Sequence, residues 1–386
     1  MSNIIICLYK LQGGKCMFQE NHYVPVIKLK RGERTALEKV DDSLKSDMTP
    51  LIEIQPVPFD YQSNDFGKTI DEHLQNIGSQ IKEAWNQHSP VFIDAYTLYN
   101  HEEFSEDILE NGQHPIEFTT DAIEKVSIPV IPVTGLNRDE SFQDAIKRNI
   151  NKYNRGVCIR LEENDCLDIQ ALKTNLNQLL TFLNLLPQEV DLIIDYKQIS
   201  PNKEKDIYNN IVLLIAQLPY LKDWRTLTFC STAFPKNLNQ IPTKSNGELP
   251  RTEWKIYKAL VNCGLARIPS FGDYNISNPD FISINPRFIN MAANIRYSIG
   301  DVILVFRGSG VKNNGFSQMT QLARDLTESG KFCGRSFSYG DTYIDDCANN
   351  GGSCGTAEKW VIAGVNHHLT LVARDLSNLH AALIAN

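Results

Sequence analysis

The chain has 386 residues, of which 42% are hydrophobic and 22% charged, and it carries a formal net charge of −8. That is the composition of a globular chain with enough apolar content for a large core, in one big domain or two smaller ones. It excludes a protein that coats nucleic acid through bulk electrostatics, and no apolar run approaches the roughly eighteen residues needed to span a bilayer. Nine cysteines, scattered with no even framework, suit a reducing cytoplasm. The opening MSNIIICLYKLQGGKCMF lacks the basic start and small-residue cleavage site of a leader. Residues 1–16 therefore read as an extension or loose arm, with Met17 as an alternative start.

The first regular unit is HYVPVIKLK, then RGERTALEKVDDSLKSD, then MTPLIEIQP. The two outer runs are short, rich in Val and Ile, and bounded by Pro or Gly, which marks buried strands. Between them Ala36, Leu37, Val40 and Leu44 form an apolar stripe at helical spacing. Strand, helix, strand is a right-handed parallel crossover. The beat recurs at PVFIDAY from Pro90, IPVIPVTG from Ile128, GVCIRLEE from Gly156, EVDLIIDYK from Glu189, WRTLTFCSTAF from Trp224 and LARIPSFGDY from Leu265. Amphipathic segments lie between them, at Thr69 to Gln87, Thr119 to Lys125, Phe142 to Tyr153, Leu167 to Leu186, Lys203 to Leu218 and Thr252 to Val261. Eight such units over about 250 residues give the arithmetic of a (β/α)8 TIM-barrel-like fold. A doubly wound open sheet is the rival. The only glycine after the first strand is Gly32, so the dinucleotide fingerprint that would favour it is absent.

Past residue 280 the beat stops. A hairpin is expected at Ile295 to Tyr297 and Val302 to Phe306, turning near Gly300 and Asp301. A helix from Phe316 to Ser329 follows. Next come a long loop rich in Gly, Asp, Asn and Cys and a final apolar stretch holding a small strand before His367. The expected organisation is residues 17–280 as the barrel and 281–386 as a C-terminal α+β appendage packed near its mouth.

YVPVIKLKRGERTAL, TPLIEIQPVPFD, VFIDAY, NIRYSIGDVILVFRG, FSYGDTYI and VNHHLTLVARDL together resemble the phage beta protein family of temperate-phage and prophage accessory loci. The resemblance runs from about Tyr23 over nearly the whole chain. It implies a role in antiviral defence by bacteriophage exclusion, or in restraining a toxic neighbour, with a protein partner encoded in the same locus. It brings no reaction and no catalytic set.

Sites in a barrel form at the C-terminal ends of its strands. The inward phase there gives Lys28, Glu53, Asp94, Thr134, Arg160, Asp195 and Thr228, with Lys197 sharing the face of Asp195. Glu53, Asp94 and Asp195 are three carboxylates with room for a divalent cation, Mg²⁺ being the default for oxygen ligands. Lys28, Lys30, Arg160 and Lys197 suit an anionic ligand. Together they suit metal-assisted phosphoester hydrolysis, or binding without turnover. The plainer reading is structural ion pairing, Lys28 with Glu53 and Arg160 with Asp195.

His367 and His368 are the next candidates, one of them facing inward; a lone buried His is more often simply hydrogen-bonded. Arg307 is placed to close over an anion or to end a hairpin salt bridge. Ser309 and Ser353 lie in glycine-rich turns without a nucleophile elbow. Cys333, Cys347 and Cys354 with His367 lack the tight knuckle of a zinc site. Gly340 and Asp341 suit either a ligand or a rim turn. The functional readings are a defence protein that recognises a partner or ligand at the barrel mouth, a metal-dependent hydrolase, and, weakest, a nucleic-acid binder.

Overall fold

A computed structural model describes residues 18–99, 108–281, 285, 290–349 and 354–384. The 1–16 extension, Met17 and Ser353 lie outside the described residues. Eight parallel strands close into a barrel: β1 Tyr23–Lys28, β2 Leu51–Glu53, β3 Val91–Asp94, β4 Val130–Thr134, β5 Val157–Glu162, β6 Val190–Gln198, β7 Thr226–Thr232 and β8 Ser270–Asp273. These are the eight strands that the sequence beat marks. Each neighbours the next, and β8 pairs with β1 through Tyr23 opposite Phe271 and Pro25 opposite Asp273.

Alternation along each strand sends one set of side chains inward and the other to the helices. Val24, Val26, Leu51, Phe92, Ile131, Val133, Cys158, Ile193 and Cys230 fill the inside, and Phe18 packs against them. Phase fails at Thr134, and at Lys197, whose φ of 48° and a register shift after Asp195 turn it to the rim. Val133 is the inward residue of β4, so Thr134 points outward and its hydroxyl donates to Gln143 of helix Glu140–Tyr153 at 2.9 Å.

Helices Arg31–Glu38, Ile77–Ala84, Pro115–Glu124, Glu140–Tyr153, Ile169–Leu183, Glu204–Gln217 and Thr252–Val261 follow the first seven strands. The eighth place is taken by a helix far along the chain, Ala357–Ile384. It packs against helix Arg31–Glu38 and strand β1, and Asn366 Nδ2 donates to the carbonyl of Ala36 at 3.1 Å. Its far end meets the seventh helix, where His380 Nε2 and the Tyr257 hydroxyl lie 3.0 Å apart. The expected small strand before His367 is thus a turn of this helix, and the long helix belongs to the barrel's ring.

Between β8 and that helix sits the α+β appendage. Its hairpin, Ala292–Ile299 and Val302–Gly310, turns at Gly300, whose φ of 50° is left-handed. A third strand, Ser245–Pro250, comes from the β7 connection and pairs antiparallel with Val302–Gly310. Helices Met319–Thr327 and Tyr339–Asn349 cover this sheet over a second core that includes Tyr297, Phe306, Leu322, Ile344 and Trp360. The second of these helices lies where the sequence suggests only loop. Cys347 and Cys354 are joined in a disulfide, which departs from the scattered cysteines of a reducing cytoplasm and removes two of the ligands considered for zinc.

Helix Tyr339–Asn349 crosses the long helix at a point where only glycine fits. A Cβ on Gly340 would lie 2.1 Å from the carbonyl oxygen of Ala363, a backbone atom that cannot swing aside. Gly340→Ala is therefore expected to destabilise the protein by roughly 1–3 kcal/mol, read from the midpoint of urea unfolding.

Candidate functional site

Near the C-terminal end of the barrel, inward residues from three strands and the residue after a fourth converge on one guanidinium. Arg160 of β5 donates from Nε to Asp195 Oδ2 at 2.8 Å, and from Nη1 to Asp94 Oδ2 at 2.8 Å and Glu53 Oε1 at 3.0 Å. Its Nη2 donates to the hydroxyl of Tyr274 at 2.6 Å, and that hydroxyl donates to Asp195 Oδ2 at 2.5 Å. All five side chains are buried. Burial pushes Glu53 up, Arg160 draws it back, and Asp94 adds to the rise. Tyr274 is pushed far up by the same burial, so its proton stays on.

The ring around this centre is also held. Lys28 Nζ donates to the carbonyls of Asn278 at 2.5 Å and Asp280 at 3.3 Å, which ties the loop after β8 across the mouth. Burial lowers its pKa, with Glu53 and Glu33 pulling the other way. Arg138 lies 4.0 Å from Asp94 and stacks on Tyr96. Lys197 takes no part through its ammonium group, which pairs with Glu162 at 2.8 Å on the partly exposed rim. Its backbone N–H donates to Asp195 Oδ1 at 2.8 Å. Thr228 lies deeper and shares a 2.8 Å hydrogen bond with Ser270.

The structure thus brings Glu53, Asp94 and Asp195 together, as their phase suggests, but around Arg160. Guanidinium nitrogens fill the point where the carboxylates meet, and among the described residues no group of three His, Cys, Asp or Glu side chains is disposed to hold a metal ion. The arrangement does not fit Mg²⁺. Tyr274 completes the network and falls one residue beyond β8; the alternation Ser270, Gly272, Tyr274 is the signal that locates it.

A second polar chain runs between barrel and appendage. His368 Nε2 lies 2.8 Å from Asp273 Oδ2, and its Nδ1 lies 2.6 Å from the Ser298 hydroxyl. The Tyr23 hydroxyl donates to the other oxygen of Asp273 at 2.6 Å. Asp, His and Ser stand in the order of a nucleophilic triad, but every member is sealed from solvent, so no substrate reaches the hydroxyl. Burial lowers the pKa of His368 despite Asp273 beside it. His367 is equally sealed. Its Nδ1 lies 2.8 Å from Asp341 Oδ2 and its Nε2 2.7 Å from the Ser298 carbonyl, while Tyr297 stacks on its ring. Both histidines are therefore buried, not one of the pair. Asp341 also accepts from Tyr297 and Ser338, which makes Gly340–Asp341 part of a packed helix rather than a rim turn. Arg307 Nη1 donates to the carbonyls of Leu238 and Ile241, stapling the loop before Ser245 away from the carboxylates. Lys30 is exposed at the start of helix Arg31–Glu38.

The family model described as Beta protein matches residues 23–374. The chain belongs to the Beta protein family. No curated protein matches it. Among solved structures, it is similar to a Rhizobium etli pyruvate carboxylase variant crystallised without acetyl coenzyme-A, at 11% identity and a TM-score of 0.31, over 93% of this chain and 37% of that one. The carboxyl transferase domain of Rhizobium etli pyruvate carboxylase with 3-bromopyruvate is similar at 9% identity and a TM-score of 0.30, over 92% of this chain and 61% of that one. The chain spans less than two thirds of either structure's length. The barrel assignment rests on its own strand pairing.

Two outcomes follow from these contacts. Arg160→Met leaves three buried carboxylates without their partner and is expected to cost on the order of 3–5 kcal/mol in equilibrium unfolding. Glu253, buried and accepting from the Ala233 N–H at 2.8 Å, is pushed up to about 7 from 4.5 by burial. The folded protein then binds more protons than the unfolded chain between pH 4.5 and 7, so this group's contribution falls as pH rises through that window. Glu253→Gln should gain stability relative to the parent by up to roughly 3 kcal/mol between pH 4.5 and 8, most of it below pH 7.5. Paired urea titrations at the two pH values measure it.

Proposed function

We propose that this Beta family protein acts by binding, as a bacteriophage-exclusion or toxin-restraining component of a phage or prophage accessory locus. Its charged barrel mouth is the recognition centre, and a protein encoded in the same locus or a small anionic ligand is the partner. One observation carries the choice of binding over turnover: Arg160 satisfies Glu53, Asp94 and Asp195 together. Carboxylates committed to a guanidinium are poor cation ligands and poor general bases. What they do well is hold the strand ends, and the loops above them, in one shape. The acidic total and the absence of a basic run weigh against a nucleic-acid partner.

The test is phage plaquing on cells carrying the intact locus, with wild type, Glu53→Gln and Asp195→Asn proteins checked for folding. These replacements keep shape and remove charge. Protection should be lost with both, while purified wild type shows no Mg²⁺-dependent cleavage of bis(p-nitrophenyl) phosphate. Cleavage that disappears in Asp195→Asn would replace binding with hydrolysis. Undiminished protection in both variants would move recognition away from the mouth.

A further inference from the structure

Beside the mouth, the appendage and the barrel enclose a cavity of about 310 Å³ that the carboxylate network does not line. Its walls come from Lys30, Gly32 and Glu33 at the first turn of helix Arg31–Glu38, Ile276 and Ser277 after β8, the hairpin, Phe316 and Met319 at the start of helix Met319–Thr327, and the long helix. The lining is mainly apolar, and Met291 and Val361 are exposed within it. Exposed apolar walls around a volume at the small end of ligand pockets suit one ring system or a short chain.

The polar part of the lining is unusual in its charge. Arg296 projects from the hairpin strand with Nε donating to Asn294 Oδ1 at 3.1 Å and Nη1 to the Ile276 carbonyl at 3.0 Å. Its Nη2 has no protein acceptor among the described residues, and no carboxylate forms an ion pair with it. The guanidinium is half-buried, with Phe234 against its face at 4.9 Å, which leaves Nη2 free to meet an acid group. Burial lowers its pKa to about 10, with Glu33 pulling the other way. The two carboxylates in the lining are committed elsewhere. Glu33 Oε2 accepts from the Lys28 N–H at 2.8 Å, and Glu358 Oε1 sits 3.1 Å from Arg31 Nε. Lys30 adds a second positive charge at the rim, and the amino end of helix Arg31–Glu38 adds a partial one. Against these cations stand Glu33, which burial pushes up to about 7, and Glu358, which pairs with Arg31, so Arg296 and Lys30 are the lining charges left to meet a ligand.

We propose that the cavity binds a small organic anion with an apolar body, its acid group on Arg296 and Lys30 and its hydrocarbon or ring against Met291, Phe316, Trp360 and Val361. The site is separate from the Arg160 network and does not depend on the function proposed for it. It bridges helix Arg31–Glu38, the hairpin and the long helix, so an occupant ties the appendage to the barrel.

The full chain is titrated with 8-anilinonaphthalene-1-sulfonate, and with N-phenyl-1-naphthylamine, the same ring pair without the acid group. One sulfonate dye per chain is expected. Arg296→Gln should weaken it about tenfold or more, the loss of a charge-assisted pair. Lys30→Gln should weaken it several-fold, and both should leave the neutral dye within about twofold. Arg296→Lys should recover part of the loss, and Val361→Asp should weaken both dyes. Equal losses for the two dyes in Arg296→Gln and Lys30→Gln would overturn the proposal, since the cleft would then be apolar without anion selectivity. So would sulfonate binding that ignores both Arg296→Gln and Val361→Asp. Lys30 and Val361 are exposed, so their substitutions test the site even if Arg296 variants fold poorly.

Discussion

One guanidinium sets the terms for the barrel's interior. Arg160 reaches side chains from β2, β3 and β6 and the residue after β8, so four separated parts of the chain must arrive in register before its charge is matched. A slip of one residue in any of these strands would turn a carboxylate out to the helices and bring an apolar side chain to the guanidinium. Burying so many ionisable groups is costly in itself, and well-packed hydrophobic residues often do as well for stability. What the arrangement supplies is discrimination among registers that the surrounding Val, Ile and Leu would tolerate almost equally.

The seam between barrel and appendage follows the same logic with carboxylate–histidine pairs. Asp273 at the end of β8 faces outward and takes hydrogen bonds from Tyr23 of β1 and from His368 of the long helix, and His368 continues to Ser298 of the hairpin. His367, one residue earlier, turns to Asp341 of helix Tyr339–Asn349. Adjacent histidines thus address two different elements, and each imidazole is used at both nitrogens. A constellation that resembles a hydrolytic triad in composition works here as a joint, because burial removes access while leaving the hydrogen bonds intact.

The barrel was legible in the sequence because its signals are local: short runs of Val and Ile, Pro and Gly at their ends, and amphipathic helices between them. The inward set was legible for the same reason, since a period of two needs only one correct residue per strand; β4 shows the cost of starting one residue out. The last third was harder. Helix Ala357–Ile384 is buried on most sides over much of its length, so it has no polar stripe to announce a helical period, and its Val, Ile and Thr content reads as strand. Helix Tyr339–Asn349 is built from Gly, Asp, Asn and Tyr, weak helix formers held in place by Tyr297, His367 and Ala363. The partners of Arg160 could be named from phase, but that one residue would serve all three carboxylates is a fact of three dimensions.

The position of the long helix also shapes how the chain can be made. All eight strands precede residue 274, yet the side of the barrel between the first and seventh helices stays uncovered until residues 357–384 have been synthesised. During that interval Tyr23, Asp273 and the apolar face of helix Arg31–Glu38 lack their cover. Because the missing piece is distant in sequence, closure pays a long-loop entropy before it gains any contact. On the ribosome, this barrel is therefore an unfinished cylinder with an adhesive seam, and the appendage is the span of chain that must be threaded out before the seam can shut.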